Sequence, residues 1–173
     1  MKFQNTPLIA TERLTLEYIK DRDLDDLIGL LKNEEVGQTF MTPDFANREA
    51  EVKMFERFKA LSESDERFVY GLYLDGKMIG FINDVEIDGT EVEVGYVIHP
   101  KQKNKGYATE ALQAAMKELF ASGCTMVKAG AFEENPASMR VMEKAGMVLL
   151  PQVDEIEYRG KVHRCMNYGK RIE

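Results

Sequence analysis

The chain has 173 residues, 44% hydrophobic and 31% charged, which is enough to bury one sizeable core and is typical of a globular protein. Its formal net charge of −7 argues against a nucleic-acid binder or a protein of anionic membrane surfaces. Cys124 and Cys165 are too far apart in the sequence for a metal-ligand pair, so we expect reduced thiols and no metal. No segment has the apolar length of a signal peptide or a membrane span, so we expect one cytoplasmic domain, residues 1–173.

The N-terminal third of the chain predicts a strand followed by two helices. In residues 13–18, RLTLEY, apolar and polar side chains alternate, which is the periodicity of a strand. Asp21 or Asp23 can cap a helix through DLDDLIGLLKN, where leucines recur at helical spacing. The same spacing predicts a second helix over about residues 47–62.

Three strands follow and predict an antiparallel meander. RFVYGLYL ends at Asp75-Gly76 and KMIGFINDVEI ends at Asp88-Gly89, and such dipeptides are typical of tight hairpin turns. The third strand, EVEVGYVI, ends at His99-Pro100 because proline lacks a backbone N–H and restricts φ.

Helices and strands then alternate. GYATEALQAAMKELFASG predicts a helix ending at Gly123, and CTMVKAGAF predicts a buried strand. NPASMRVMEKAG predicts a helix with Asn135 as N-cap and Gly146 after its end, and two strands joined at Arg159-Gly160 complete the chain. The order β α α β β β α β α β β predicts an α/β (α+β) fold with one mixed, mostly antiparallel seven-stranded sheet and helices on both faces.

The loop before the helix at residues 106–122 has the features of an anion site. A helix N-terminus offers free backbone N–H groups and a partial positive charge. Gly106 and Ala108 are small enough for a ligand to approach the backbone, and Asn104 tolerates a positive φ. The alternative is an exposed basic turn before an ordinary helix. Further positive charge and a hydroxyl come from Lys101, Lys103, Lys105 and Thr109.

The segment PKQKNKGYATEA, residues 100–111, resembles the acetyl-coenzyme A loop of the GNAT superfamily of N-acetyltransferases, which usually reads Arg/Gln-x-x-Gly-x-Gly/Ala. Here Lys103 replaces the usual Arg or Gln, and Asn104 replaces a frequent glycine. EVGY and NPASMRVMEKAGM match two further blocks, so the resemblance covers about residues 8–170. The closer resemblance is to the ribosomal-protein N-terminal-alanine acetyltransferase branch, to which Asn135-x-x-Ser138 points.

This resemblance implies an acetyl-CoA-dependent enzyme that acetylates a primary amine, either a protein N-terminus or a small molecule. It implies that the strand ending at Ile98 is splayed from the next parallel strand, with pantetheine bound in the gap by the backbone of Val97 and Ile98. Asn135 would hold pantetheine or order the strand–helix turn, and Ser138 would face the sulfur. Pyrophosphate would be bound by Lys103, Asn104, Lys105, Gly106, Tyr107, Ala108 and Thr109.

Two residues are candidates for the chemistry. Glu93 is the candidate base and would act through a water molecule, although Glu91 and Glu93 could instead line a solvated strand face. Ser138 or a water would protonate the leaving thiolate, because position 142 is a methionine where other branches often have tyrosine. Ser138 could also serve only the first helical turn. The missing tyrosine leaves open a catalytically silent acyl-CoA-binding sensor or scaffold.

The acceptor cleft should be built from residues 33–62 and the hairpin near 154–164. The expected partner is an amine, and neither nucleic acid nor a membrane is expected as a partner. An exposed edge strand at the C-terminus could pair with a second chain, so a homodimer is possible. The aromatic and apolar residues that these segments offer the cleft are Phe40, Met41, Phe45 and Tyr158.

Overall fold

The computed structural model describes all 173 residues, which form eight strands, five α-helices and two short 3-10 turns. The strands are β1 (Leu8–Ala10), β2 (Thr15–Glu17), β3 (Val69–Leu74), β4 (Lys77–Asp88), β5 (Glu91–Ile98), β6 (Met126–Phe132), β7 (Val148–Tyr158) and β8 (Lys161–Arg171). The helices are α1 (Leu24–Lys32), α2 (Glu34–Thr39), α3 (Arg48–Ser62), α4 (Tyr107–Ala121) and α5 (Pro136–Lys144).

All eight strands belong to one sheet in the order β1-β2-β3-β4-β5-β6-β8-β7. β5 and β6 are its one parallel pair, which confirms the predicted mixed, mostly antiparallel sheet. The predicted number of seven strands is wrong by one, because β1 adds a strand beside β2 with Ile9 opposite Leu16. At three residues, β1 is too short for its periodicity to be visible in the sequence.

The predicted helices are present, and the structure adds α2 between the first two. Asn33 caps α2 by accepting a hydrogen bond from the Val36 backbone N–H at 3.1 Å. This helix spans six residues, which is less than two turns and gives no apolar repeat. Asn135 caps α5 as predicted, and Gly146 follows the helix with φ 92°.

The sheet separates two apolar cores, which confirms helices on both of its faces. α4 and α5 cover one face, where Leu112 and Met142 pack against Val94 and its neighbours. α1, α2 and α3 cover the other, where Leu27 and Phe55 pack with the side chains that include Phe81 and Val97. Along β5, alternate residues therefore face different cores.

The C-terminal hairpin places β8 inside the sheet, between β6 and β7, and leaves β7 as an edge. Its turn has positive φ at Arg159 and Gly160, as the predicted tight turn requires. Val148 and Leu149 on the edge strand are 65% and 55% exposed. Pairing of this edge with a second chain stays a prediction. None of the helices has the length and apolar character needed to cross a membrane.

Candidate active site

The parallel strands β5 and β6 diverge along their length. They pair from Glu91 opposite Met126 only as far as Glu93 opposite Lys128. β5 stays bonded to β4 up to Ile98, so the whole opening is on the β6 side. Backbone groups of β5 that face this opening have no strand partner, and such groups are available to a ligand. The splay expected from the sequence is therefore present.

A continuous cavity of about 1020 Å³ occupies this opening and runs from the α4 loop to the C-terminal hairpin. This volume lies at the upper end of the range typical of small-molecule sites. Its walls bring together the predicted residues Glu93, Val97, Ile98, Lys103, Asn104, Gly106, Tyr107, Ala108, Thr109, Asn135 and Ser138. Lys105 is not part of the wall.

The loop at one end of the cavity is shaped by two left-handed residues. Asn104 has φ 60° and Gly106 has φ 83°, so Asn104 adopts the positive φ that its residue type tolerates. The backbone N–H groups of residues 104–109 donate no hydrogen bond within the protein. Six free donors at a helix N-terminus form a site suited to a phosphate or pyrophosphate.

Arg13 supports this loop from behind. Its Nη1 donates to the Lys105 carbonyl at 2.7 Å, and its Nε donates to Glu110 Oε1 at 2.8 Å. The guanidinium carbon also lies 4.5 Å from the centre of the Tyr107 ring. Burial acts to raise the pKa of the Glu110 carboxyl, but hydrogen bonds from Thr11 and Arg13 outweigh it and lower the pKa. Sequence reasoning missed Arg13 because no local pattern connects it with the loop.

The lysine side chains of the loop lie at its exposed rim. Lys103 Nζ is 3.3 Å from Glu35 Oε1, and Lys105 Nζ donates to Gln102 Oε1 at 3.1 Å. The exposed Lys103–Glu35 ion pair contributes little to stability, so the Lys103 ammonium can turn to a bound anion at little cost.

Ser138, at the start of α5, is held by two neighbours. Asn135 Oδ1 accepts a hydrogen bond from the Ser138 backbone N–H at 3.3 Å, so the cap is confirmed. The Ser138 hydroxyl lies 2.7 Å from the Tyr96 hydroxyl, and both residues line the cavity. Burial raises the pKa of the Tyr96 phenol to about 12, and its hydrogen bond with Ser138 acts in the opposite direction. Met142 is fully buried and does not reach the cavity.

Sequence reasoning also missed Tyr96. The available signal was strand alternation, which places Tyr96 on the same face as Val92 and Val94, towards α4 and α5. The pairing with Ser138 requires the position of α5 in the fold.

Glu93 lies in the last β5–β6 pair, where the two strands begin to diverge, and on the opposite face of the sheet from Tyr96. It is half-buried in the cavity wall rather than on an open face. Burial raises the pKa of its carboxyl, and the negative charges of Glu86 and Asp154 raise it further. Burial, with Glu93 nearby, also raises the pKa of the Cys165 thiol to about 11. A carboxyl with a raised pKa in a cavity is suited to proton transfer.

The C-terminal hairpin closes the other end of the cavity through Tyr158. Its hydroxyl donates to the Gly37 carbonyl at 2.7 Å and accepts from the Thr42 backbone N–H at 3.3 Å. Phe40, Met41 and Tyr158 line the cavity as expected. Phe45 does not line it, because its side chain packs into the core beneath α1 and α3.

The two histidines lie outside this chemistry. His99 Nδ1 accepts from the Lys101 backbone N–H at 3.1 Å and so caps the turn after β5. His163 is buried, pairs with Glu134 and stacks on Phe132 with ring centres 4.4 Å apart.

Comparisons with known proteins agree with this geometry. The acetyltransferase (GNAT) domain family matches residues 13–148. An uncharacterized N-acetyltransferase of Bacillus subtilis, YoaA, is 28% identical over 145 residues, covering 81% of this chain and 82% of that protein.

Two solved structures share the fold. A GNAT-family acetyltransferase from Bacillus anthracis has a TM-score of 0.81 at 24% identity and covers 95% of this chain and 98% of its own. RimL, a ribosomal L7/L12 α-N-protein acetyltransferase solved with coenzyme A, has a TM-score of 0.84 at 18% identity. The match covers 95% of this chain and 98% of the RimL chain. The fold thus agrees with the branch that the sequence resembles. With its splayed strands, its loop of free backbone N–H groups and a family match over most of its length, the chain belongs to the GNAT family of N-acetyltransferases.

Proposed function

We propose that this protein transfers the acetyl group of acetyl-CoA to a primary amine, on a protein N-terminus or a small molecule. The observation that supports this best is the cavity between β5 and β6, which joins an anion-binding loop at one end to Glu93 at the other. We further propose that residues 1–173 act as one catalytic domain.

The donor set fits coenzyme A. The free N–H groups of residues 104–109 suit a pyrophosphate, with Lys103 and Lys105 adding positive charge at the rim. The opened edge of β5 offers backbone groups of Ile98 to an extended, amide-containing chain such as pantetheine, whereas the Val97 carbonyl points towards Gly80 on β4. An N–H of this edge would also polarise the thioester carbonyl.

The side chains supply the two proton transfers. Glu93 would accept a proton from the incoming ammonium, through water, so that a neutral amine attacks the thioester. Ser138 would donate to the departing sulfur, and Tyr96 would donate to the Ser138 hydroxyl. Chains of hydrogen bonds polarise one another, so the pair is a better donor than an isolated hydroxyl.

The alternative of a catalytically silent acyl-CoA-binding module depended on the methionine at position 142. Met142, in α5, is buried away from the cavity, whereas Tyr96 brings a phenol to Ser138 from β5. We infer that this pair of hydroxyls takes the role of the missing tyrosine. This arrangement favours an active acetyltransferase over a catalytically silent acyl-CoA-binding module.

The proposed acceptor is an amine, and two classes of acceptor are considered: protein N-termini and small molecules. RimL, by its name an α-N-protein acetyltransferase, shares the fold and supports the first class. The half-buried carboxylate of Glu93 supports any acceptor that arrives as an ammonium.

A two-step experiment tests the proposal. Calorimetric titration with acetyl-CoA should show binding, and an amine panel of ribosomal N-terminal peptides, polyamines and amino acids should then stimulate release of the CoA thiol. Binding without stimulation by any amine would favour the silent module. No binding of acetyl-CoA would contradict both functions.

A further inference from the structure

We propose that Arg67 binds the carboxylate of the acceptor, and that the preferred acceptor is a small amino acid with an apolar side chain, whose amine lies at Glu93. The inference rests on the proposed acetyl transfer and concerns the half of the cavity that receives the amine. The products would be an N-acetyl amino acid and CoA. The C–N bond forms as the C–S bond of the thioester breaks. Glu93 takes one proton of the ammonium through water, and the second proton lost by the nitrogen is balanced by the one that the sulfur gains.

Arg67 lines the cavity and has two donor groups free. Its Nε donates to Asp84 Oδ2 at 2.6 Å, while Nη1 and Nη2 donate no hydrogen bond within the protein. The side chain is 36% exposed, so a ligand in the cavity can reach it. The two Nη groups of a guanidinium form a planar fork that matches the two oxygens of a carboxylate.

Asp84 fixes the orientation of this fork. Its side chain is 2% exposed, and its carboxylate accepts from the Phe68 backbone N–H at 2.8 Å as well as from Arg67. The Asp84 backbone N–H also donates to the Phe68 carbonyl at 2.7 Å, which holds β4 against the residues that precede β3. Because Asp84 takes the Nε side of the guanidinium, the end with both Nη groups is left for a second carboxylate. No acidic side chain of the protein occupies that end.

Strand register places Arg67 level with Glu93. Asn83 on β4 lies opposite both Val69 on β3 and Gly95 on β5. Arg67 precedes Val69 by two residues, and Glu93 precedes Gly95 by two. Neighbouring strands are about 4.8 Å apart, so the two backbone positions are separated by about 10 Å across β4. One amino acid, with a hydrogen bond at its ammonium and another at its carboxylate, spans a distance of this order.

The charges of the cavity set the direction in which an amino acid would bind. Glu93 lies opposite Glu86 on β4, and the negative charge of Asp154 is also nearby. This end of the cavity attracts an ammonium and repels a carboxylate, except at Arg67. The cavity's other basic side chains border the proposed coenzyme A site and are Lys103, Arg140 and Lys144. The amine is therefore directed to Glu93 and the carboxylate to Arg67.

Apolar side chains form the wall beside these charges. A Cβ at Gly95 would lie 3.1 Å from Val85 Cγ2 and 3.2 Å from the Phe40 ring, so both side chains converge over this glycine. Met54 and Phe58, from α3, extend the apolar wall. An apolar side chain on the amino acid is stabilised by burial against such a wall.

The test compares two acceptors that differ in one group. Leucine has the carboxylate, and leucinamide replaces it with a neutral amide of nearly the same shape. Values of kcat/KM are expressed per neutral amine, because the two amines have different pKa values. We expect the wild-type enzyme to favour leucine by about tenfold to hundredfold. A preference for leucinamide, whose carboxyl group is in an amide bond as in a peptide N-terminus, would overturn the proposal.

A double variant assigns the preference to Arg67. Arg67→Gln alone would leave the Asp84 carboxylate buried and unpaired, so it is combined with Asp84→Asn, which removes both charges and keeps hydrogen-bonding groups at both positions. The ratio of leucine to leucinamide should fall to one or below. The matched control combines Arg48→Gln with Glu51→Gln. Arg48 Nη1 donates to the buried Glu51 at 3.0 Å, and neither residue lines the cavity, so this variant should keep the wild-type ratio.

The result can be separated from the proposed function. Calorimetry with leucine in the presence of CoA measures acceptor binding without turnover, and the double variant should weaken it by about tenfold or more. Equal use of leucine and leucinamide by the wild-type enzyme, or a preference for leucine that survives in the double variant, would overturn the role of Arg67 while leaving acetyl transfer intact. A folded enzyme that binds leucine yet acetylates no amine would overturn the function alone.

Discussion

The hydroxyls of Tyr96 on β5 and Ser138 on α5 lie 2.7 Å apart. One comes from a strand and the other from the first turn of a helix, 42 residues later. A serine hydroxyl by itself is a weak acid. A phenol donating to it makes the serine proton easier to release towards a developing thiolate.

Replacing Tyr96 with phenylalanine should lower kcat by about tenfold, with the KM for acetyl-CoA nearly unchanged, because one hydrogen bond to the proton donor is lost. The pKa of the CoA thiol in the enzyme complex, followed by the ultraviolet absorbance of its thiolate, should rise. Tyr70→Phe is the matched control, since Tyr70 donates to the Thr6 carbonyl at 2.8 Å away from the cavity. A thiol pKa equal to that of the wild-type complex would contradict the role of Tyr96.

Glu93→Gln should remove the acidic limb of the profile of kcat/KM against pH. In the wild type this limb marks the ionisation of Glu93, whose pKa is raised by burial and by Glu86 and Asp154. Glu91→Gln is the control on the same strand face. A hydrogen bond from Lys128 lowers the pKa of Glu91, and its replacement should leave the limb in place.

The same substitution should change stability in a direction set by pH. Because the pKa of Glu93 is raised on folding, its ionised form is favoured in the unfolded chain. Above the folded-state pKa, Glu93→Gln should therefore raise the free energy of unfolding. Below the unfolded pKa both side chains are neutral, and denaturant titrations should show no difference. A destabilised variant at neutral pH would mean that Glu93 has a stabilising partner in the fold.

Arg13→Gln should raise the KM for acetyl-CoA by about tenfold, because the loop loses a charged donor at the Lys105 carbonyl. Acetyl-pantetheine lacks the pyrophosphate, so its KM should not change. Arg22→Gln is the control, since Arg22 also donates to a backbone carbonyl, that of Gly76 at 3.2 Å, in a distant turn. Equal losses with both donors would indicate general destabilisation.

Tyr158→Phe should raise the KM for the amine by roughly threefold to tenfold and leave acetyl-CoA binding unchanged. The hydroxyl joins the hairpin to the segment at Gly37 and Thr42, which includes the cavity residues Phe40 and Met41. Calorimetry with acetyl-CoA and steady-state kinetics with the amine separate the two effects. Tyr18→Phe, which loses a bond to the Asn5 carbonyl, should leave both unchanged.

Much of the fold could be predicted where the signal is local. Asn135 and Pro136 mark the start of α5, and the turn at Arg159-Gly160 has the positive φ values that its residue types favour. Asn104 adopts φ 60°, as its side chain permits. The elements that escaped prediction, β1 and α2, are too short to show a repeat.

The candidate site also has one part that local sequence patterns predict and another part that they do not. The loop before α4 could be predicted because its glycine, the helix N-terminus and its basic residues are contiguous in the chain. By itself the sequence determined this loop, the cap of α5 and the alternation that separates Glu93 from Tyr96. Each of these depends on backbone geometry and on residues within one or two turns of each other.

Only the tertiary structure decided which distant groups meet. Arg13 contacts Lys105 across 92 residues, and Tyr158 contacts Gly37 across 121. Strand register likewise sets Asn83 on β4 opposite Gly95 on β5. Such contacts follow from the burial of apolar faces and from strand pairing over the whole chain, and these involve all elements at once. No local pattern carries that information, because the interaction energies that select the register belong to the assembled sheet.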